Sequence, residues 1–299
     1  MSENVNGWLN VLKEEGQTSF SVSKSLKKKF KFKKLGHLGT LDPLAKGVLP
    51  IAIGEATKTI NYINNNIKRY SFTIKWGEET NTCDREGEVL SESKIRPTSK
   101  DINIIVNKFF IGKIYQVPPI FSAVKVNGVR AYSLARKKIE VKLKKKQIEI
   151  FKLEVESPQK KDFCKFDIVC GSGTYIRSLA RDIAKKLGTV GYAYEIIRTE
   201  DNMFKIQDSY SLDYILNLDL NEFKNLLLPV DCVLLDKEEI VLEKKYSEML
   251  KNGIIIQANK VKHNFKRENK LLLIKDGDKL VTIAYLEKEF IIPRRNFNL

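Results

Sequence analysis

The chain has 299 residues, of which 42% are hydrophobic, and its 53 lysines and arginines against 37 acidic residues give a formal net charge of +16 at pH 7. This length predicts two unequal domains, and the charge favours a polyanionic partner such as a nucleic acid. No apolar run is long enough to span a bilayer and no signal peptide opens the sequence, so we expect a cytoplasmic protein that does not bind membranes.

Periodic apolar residues predict helices and strands over most of the chain. Val22, Leu26 and Phe30 recur every four positions, as on one face of a helix, whereas apolar residues alternate from Tyr70 to Trp76, as in a strand. In chain order the predicted elements are a basic helix over 18–30 that Thr18 and Ser19 can cap, a buried strand over 48–53, a helix over 56–67, a strand over 70–76, a polar loop over 77–90, helices over 101–111 and 131–138, strands over 147–156 and 163–170, and a helix that Thr174 caps and Gly188 ends.

The pattern changes around residues 229–235. A short helix over 243–251 is followed by brief apolar strands, LLLIKDGDKLVTIAYL and FIIPRR, which predict a small β-barrel. We therefore predict one domain over residues 1–240 and a second over residues 241–299.

The sequence gives little support to metal or cofactor chemistry. The four cysteines lack the spacing of a zinc site, so we expect reduced, buried thiols and no metal. The chain has no P-loop, HExxH or GxSxG motif. Gly171-Ser172-Gly173 lies between a predicted strand and a predicted helix, but Ile176 stands where a dinucleotide-binding fingerprint has its third glycine. We therefore expect no cofactor.

The most distinctive stretch is GHLGTLDPLAKGVLP, residues 36–50, which places Asp42 before Pro43 among three glycines. Taken alone, an Asp-Pro pair starts a turn or caps a helix. A sharp turn can also direct a short carboxylate into a cleft, where an ionised aspartate serves as a nucleophile or a base. The stretch by itself leaves both interpretations open.

Further motifs favour the second interpretation, because they follow one another in the order found in one enzyme family. They are GHLGTLDPLAKGVLPIAIGEATK at 36–58; Lys68-Arg69-Tyr70; Gly77, Thr80, Thr82, Asp84 and Gly87; Gln116, Pro118, Pro119, Ser122, Ala123, Lys125 and Gly128; and Gly171-Ser-Gly-Thr-Tyr-Ile-Arg177-Ser-Leu. Together they cover most of residues 7–199. On these motifs the chain resembles the TruB family of bacterial tRNA pseudouridine synthases.

The resemblance implies an α+β fold, with a catalytic domain on a mixed, mostly antiparallel sheet with flanking helices and a small C-terminal β-barrel like the RNA-binding PUA domain. It implies an isomerase that converts uridine 55 in the T loop of tRNA to pseudouridine, by base flipping and an aspartate-dependent cleavage and rejoining of the glycosidic bond. No metal or cofactor is needed. We expect tRNA as the partner, through its T arm, and a monomeric enzyme. A non-catalytic tRNA-binding or folding chaperone and a guide-RNA-dependent pseudouridine synthase are the alternatives.

The family's functional residues carry over onto ten positions. Asp42 matches the catalytic aspartate, and Arg177 would meet both Asp42 and Asp84. Tyr70 would stack on the flipped uracil, and His37 would enter the T loop. The other expected positions are active-site support from Tyr175 and Ile196 and RNA contacts from Lys13, Lys58 and Arg69.

Two segments depart from the family pattern. Residues 12–19 read LKEEGQTS, where the family has Asp-Lys-Pro-x-Gly-x-Thr-Ser, and residues 188–199 contain Arg198 alone where the family has paired arginines. The residues alone also allow an alternative for Arg177, in which its side chain faces solvent and pairs with Asp182.

Overall fold

The computed structural model describes residues 5–63, 67–137, 139, 141–156, 161–261, 263, 265 and 270–299. The strands are β1 (Gly7–Lys13), β2 (Leu35–His37), β3 (Lys46–Ile53), β4 (Ile67–Trp76), β5 (Glu78–Thr80), β6 (Val89–Glu92), β7 (Gly112–Gln116), β8 (Lys125–Val126), β9 (Val129–Arg130), β10 (Lys146–Val155), β11 (Phe163–Gly171), β12 (Gly191–Asp201), β13 (Phe204–Lys205), β14 (Tyr210–Ser211), β15 (Glu238–Val241), β16 (Ile256–Gln257), β17 (Lys270–Asp276), β18 (Lys279–Glu287) and β19 (Phe290–Asn296). The helices are α1 (Ser19–Phe30), α2 (Ser99–Phe109), α3 (Ala131–Arg136), α4 (Ile176–Lys186), α5 (Leu212–Asn217), α6 (Leu220–Lys224) and α7 (Lys244–Lys251).

A ten-stranded mixed sheet organises the larger part of the chain. Its main path runs β14-β1-β3-β12-β4-β11-β10-β7, with β2 on β3 and β13 on β12. Most neighbours are antiparallel, while β1 with β14 and β3 with β12 are parallel. Helices α2 and α4 pack on β4, β10, β11 and β12, and α1 and α5 pack on β1 and β3. This arrangement confirms the predicted α+β class and puts β12, which the apolar pattern did not reveal, at the centre of the sheet.

The second sheet has the order β15-β17-β18-β19-β16, and α7 contacts its strands β16, β17, β18 and β19. This small β unit confirms the predicted C-terminal fold. We propose that the domain boundary lies just before Glu238, slightly ahead of the predicted one, because β15 already pairs with β17. The unit shares a hydrophobic cluster with the large sheet that includes Trp8, Val48, Ala52, Leu273, Leu280, Ile283 and Phe297.

Two local predictions are wrong. The segment expected as a helix over 56–67 forms short 3₁₀ turns over Gly54–Lys58 and Ile60–Tyr62, and β4 already begins at Ile67; residues 64–66 lie outside the described residues. The hydroxyls of Thr57 and Thr59 donate to carbonyls three residues back and stabilise these tighter turns. Thr174 does not cap helix α4, because its hydroxyl donates to the Gly171 carbonyl. The N-cap residue of α4 is Tyr175.

Other local predictions are confirmed. Thr18 caps α1 in a capping box with Ser21, and all four cysteines are free and buried. Helix α3 ends at Arg136, and Lys138, the predicted end, lies outside the described residues.

Among the residues described, no helix is both long and apolar enough to cross a membrane, and no group of three or more His, Cys, Asp or Glu side chains could hold a metal ion.

Phe297 tests how strongly the two units depend on each other. Its ring is 1% exposed, and the Lys58 ammonium lies 5.6 Å from the ring centroid. We expect Phe297→Ala to lower the free energy of unfolding by about 3–5 kcal/mol, because it opens a cavity between the units. Urea unfolding of both variants measures this. The control is Phe290→Ala, at the start of the preceding strand β19, where the side chain is 42% exposed and its loss should cost about 1 kcal/mol or less. Equal losses would show that the shared cluster contributes little.

Candidate active site

Asp42 lies in the loop that joins β2 to β3. The loop turns sharply, with Gly39 at φ +67° and Gly47 at φ +123°, and the Ala45 amide donates to the Asp42 carbonyl at 3.1 Å. A side chain at Gly47 would collide with the backbone of Arg198, so only glycine fits there. The turn leaves the Asp42 side chain 38% exposed.

Arg177, in the first turn of α4, holds both oxygens of this carboxylate. Its Nε lies 2.8 Å from Asp42 Oδ2 and its Nη2 lies 2.9 Å from Oδ1, which is the bidentate geometry of a strong charge-assisted pair. The Nη1 atom lies 3.3 Å from Asp84 Oδ2, and the guanidinium also donates to the carbonyls of Thr82 and Phe121. The predicted contact with both carboxylates is confirmed, and the alternative pairing with Asp182 is wrong.

Asp84 is the buried member of this network. Its side chain accepts hydrogen bonds from the Thr82 hydroxyl and the Glu86 amide. Burial raises the pKa of Asp84, while Thr82 and Arg177 oppose that shift. Asp84 is thus enclosed by the network, whereas Asp42 faces a cavity.

That cavity has a volume of about 340 Å³. Its lining includes five of the predicted residues, which are Asp42, Tyr70, Tyr175, Arg177 and Ile196. Gln116 was not assigned a role from the sequence, yet its side-chain amide makes two hydrogen bonds to the backbone of Tyr175, of 2.9 and 3.1 Å. Burial raises the pKa of Tyr70 and keeps its hydroxyl protonated.

Lys13 supports the Asp42 loop from β1. Its side chain is fully buried, and its ammonium donates to the carbonyls of Glu14, Gln17 and Pro43 at 2.7–3.2 Å. Burial lowers its pKa to about 8. The structure thus places Lys13 beneath the loop and away from the surface where an RNA phosphate would lie.

The other predicted RNA contacts lie in different surroundings. His37 is at the rim, 3.3 Å from the hydroxyls of Ser23 and Thr40, and burial and the nearby Arg198 lower its pKa. Arg69 is half-exposed and pairs with Glu200. Lys58 is remote from this rim, since its ammonium pairs with Glu55 and donates to the Asn296 carbonyl.

A second buried charge cluster, which the sequence did not predict, lines the same cavity. Lys68 Nζ lies 2.5 Å from Asp201 Oδ2, and Arg198 Nη1 lies 3.1 Å from the same oxygen. Lys68 and Tyr70 point to one face of β4, and their partners on β12 are Asp201 and Arg198. A bulge between Arg198 and Glu200 lets Arg198 and Asp201, three residues apart, share this face. The Lys68–Tyr70 alternation was readable from the sequence, but the bulge was not.

Solved structures share this architecture. The structure titled "Structure of H/ACA RNP bound to a substrate RNA containing 2'-deoxyuridine" matches with a TM-score of 0.73 and 20% identity over 98% of this chain and 85% of that one. The "Crystal Structure of a Cbf5-Nop10-Gar1 Complex" matches with a TM-score of 0.73 and 23% identity over 100% of this chain and 85% of that one. At these identities the likeness establishes a shared fold, and the aspartate–arginine site lies over the central cavity of that fold.

The particular family follows from sequence similarity. The family model "TruB family pseudouridylate synthase (N terminal domain)" matches residues 27–176. The chain is 37% identical to tRNA pseudouridine synthase B of Caulobacter vibrioides over 99% of its own length and 97% of that protein's. It is 39% identical to tRNA pseudouridine synthase B of Ehrlichia chaffeensis over 98% and 99% of the two lengths. These matches define the chain as a pseudouridine synthase, an isomerase. It belongs to the TruB family.

The Asp201 cluster can be tested by its effect on stability. Asp201→Asn leaves two buried cations without their counterion, so we expect the free energy of unfolding to fall by about 3–5 kcal/mol. Glu200→Gln, which breaks a half-exposed pair with Arg69 next to it, is the control and should cost about 1 kcal/mol or less. Urea unfolding compares the two variants, and equal effects would contradict the assignment of Asp201 as an essential counterion.

Proposed function

We propose that this enzyme isomerises uridine 55 in the T loop of tRNA and that Asp42 is its catalytic residue. The observation that carries the proposal is the Asp42 carboxylate, which is 38% exposed at the edge of a cavity while Arg177 holds both of its oxygens. The full-length likeness to synthases named for tRNA supports the substrate class. Uridine 55 and the T arm are the substrate that the family resemblance implies.

The reaction needs a carboxylate beside the ribose and a pocket that retains the detached base. Asp42 can attack C1′ and form an ester, or it can take the C2′ proton and leave a double bond between C1′ and C2′. In both routes the uracil leaves, rotates and forms a new bond from C5 to C1′. In the first route the ester bond to Asp42 breaks as this bond forms, and in the second Asp42 returns its proton to C2′. The C5 proton is then lost and N1 gains a proton. Both routes need the same ionised carboxylate in the same place.

The cavity walls fit the flipped base. Tyr70 and Ile196 belong to the same hydrophobic cluster and are 8% and 4% exposed. We assign Tyr70 as the ring that stacks on the uracil, Ile196 as the apolar floor and Tyr175 as a side wall, fixed through its backbone by Gln116. Flipping the base costs a few kcal/mol, which such stacking offsets.

The RNA surface begins at the rim of this cavity. We assign His37 to the space that the flipped base leaves and Arg69 to the phosphates. Helix α1 adds four exposed lysines, Lys24, Lys27, Lys28 and Lys29. Lys13 and Lys58 are excluded from this set because their ammonium groups are occupied inside the protein. We further propose that the C-terminal sheet binds tRNA as PUA domains do, and that the enzyme works as a monomer in the cytoplasm.

Mapping of the product tests the function. A T-arm RNA incubated with the enzyme, without nucleotide or added metal, should acquire one pseudouridine, at position 55. We expect Asp42→Asn to slow this conversion by about three orders of magnitude or more, because the amide can neither attack C1′ nor accept the C2′ proton. The variant should fold, since Arg177 keeps its pair with Asp84.

Binding separates catalysis from recognition in the same variant. Asp42 is an anion facing a polyanion, so its removal should leave RNA affinity equal or slightly higher. A T-arm RNA with cytidine at position 55 is the matched substrate control and should bind without product. Conversion by Asp42→Asn at a tenth of the normal rate would contradict the assignment of Asp42, and pseudouridine at another position would contradict uridine 55.

Arg177→Lys tests the bidentate contact. An ammonium cannot hold two carboxylate oxygens in one plane, so the Asp42 side chain should lose its fixed orientation. We expect single-turnover conversion to slow by about 100-fold with unchanged RNA affinity, since small misplacements of a reacting group have effects of this size. Arg181→Lys, one turn further along α4 and paired with Asp182, is the control. Normal turnover in Arg177→Lys would show that the fork geometry is dispensable.

A further inference from the structure

The two sides of the cavity differ in their balance of charge. Near Asp42, the Arg177 guanidinium and the Lys13 ammonium beneath the loop stand against two carboxylates, Asp42 and Asp84, so the charges balance. On the opposite strands, Lys68 and Arg198 stand against the single carboxylate of Asp201. The side chains of Lys68, Arg198 and Asp201 are 8%, 0% and 0% exposed, so little water screens their charges.

Both cations of the second side approach the catalytic loop closely. A side-chain atom added at Gly39 would lie 2.9 Å from Lys68 Nζ, 2.9 Å from Arg198 Nη1 and 3.1 Å from Asp201 Oδ2. Lys68 and Arg198 line the cavity together with Asp42 and Tyr70, whereas Asp201 does not. The two cations therefore border the space that the base would occupy.

The reaction moves negative charge in the matching direction. When the C1′–N1 bond breaks, both of its electrons leave with the uracil, which becomes an anion. Asp42 becomes neutral at the same time, as an ester in one route and as a carboxylic acid in the other. One negative charge thus passes from Asp42 to the base by either route, from the side whose charges balance toward the side with an excess of positive charge.

We propose that Lys68, supported by Arg198, stabilises the uracil anion formed when the glycosidic bond breaks. The inference rests on the pseudouridine synthesis proposed above and holds for either role of Asp42. Burial lowers the pKa of Lys68 to about 8 even though Asp201 is its partner, which shows that one carboxylate does not compensate for the water that the ammonium has lost. A second anion in the cavity supplies that compensation only while the base is detached, as transition-state stabilisation requires.

The test compares two leaving groups. Lys68→Met keeps the chain length and leaves Arg198 paired with Asp201, so no buried carboxylate loses its counterion. Single-turnover loss of the target nucleoside is measured in T-arm RNA that carries uridine or 5-fluorouridine at position 55. Fluorine withdraws electrons and stabilises the departing anion by itself. We expect Lys68→Met to slow conversion of the uridine RNA by about 100-fold, and conversion of the 5-fluorouridine RNA by about tenfold or less.

Controls distinguish this role from a structural one. Lys75→Met removes a lysine on the same strand that pairs with Glu78 outside the cavity, and it should behave as wild type with both RNAs. Lys68→Gln keeps a polar side chain with a neutral donor and serves as the test should the Met variant unfold. Its loss of rate on the uridine RNA should also be smaller on the 5-fluorouridine RNA. Equal deficits on both substrates, or no deficit on uridine, would overturn the proposal for Lys68 alone. A wild-type enzyme that made no pseudouridine would overturn the proposed function and this inference with it.

Discussion

A single guanidinium taken out of water holds the site together. Arg177 is 4% exposed, and its donors reach the carboxylates of Asp42 and Asp84 and the carbonyls of Thr82 and Phe121. A buried cation without partners costs several kcal/mol. The need to pair Arg177 therefore holds in place the three loops that supply these acceptors. The orientation of the Asp42 carboxylate is therefore a consequence of how α4 packs on the sheet.

The rest of the Asp42 loop is held through its backbone. Lys13 donates to a carbonyl next to Asp42, and Arg198 donates to carbonyls at both ends of the loop, at 2.7 and 3.0 Å. Because these two cations bind the main chain, the Asp42 carboxylate keeps its contact with Arg177 and its place at the cavity. The divergent segment after β1 fits the same scheme, since Glu14 pairs with Lys46 at the far end of the loop.

The sequence predicted the fold and the Asp42–Arg177 pair because motif residues carry them directly. The sequence could not show which of the residues predicted to contact RNA have their charged groups bound inside the protein. Lys13 and Lys58 look like any other lysine in a basic chain, and only the packing of β1 and of the C-terminal strand shows that they are occupied. The partnership of Arg198 with Asp201 depends on a bulge in β12, and a bulge leaves no periodic signal in the apolar pattern.

The shared cluster of Trp8 and Phe297 has a consequence for biosynthesis. A ribosome releases β1 and the Asp42 loop long before residue 297, so part of the apolar surface around Trp8 stays uncovered until the last strands are made. Exposed apolar surface of this kind makes a partly folded chain prone to aggregation. A chain that ended before residue 270 would lack Leu273, Leu280, Ile283 and Phe297 and would keep that surface exposed.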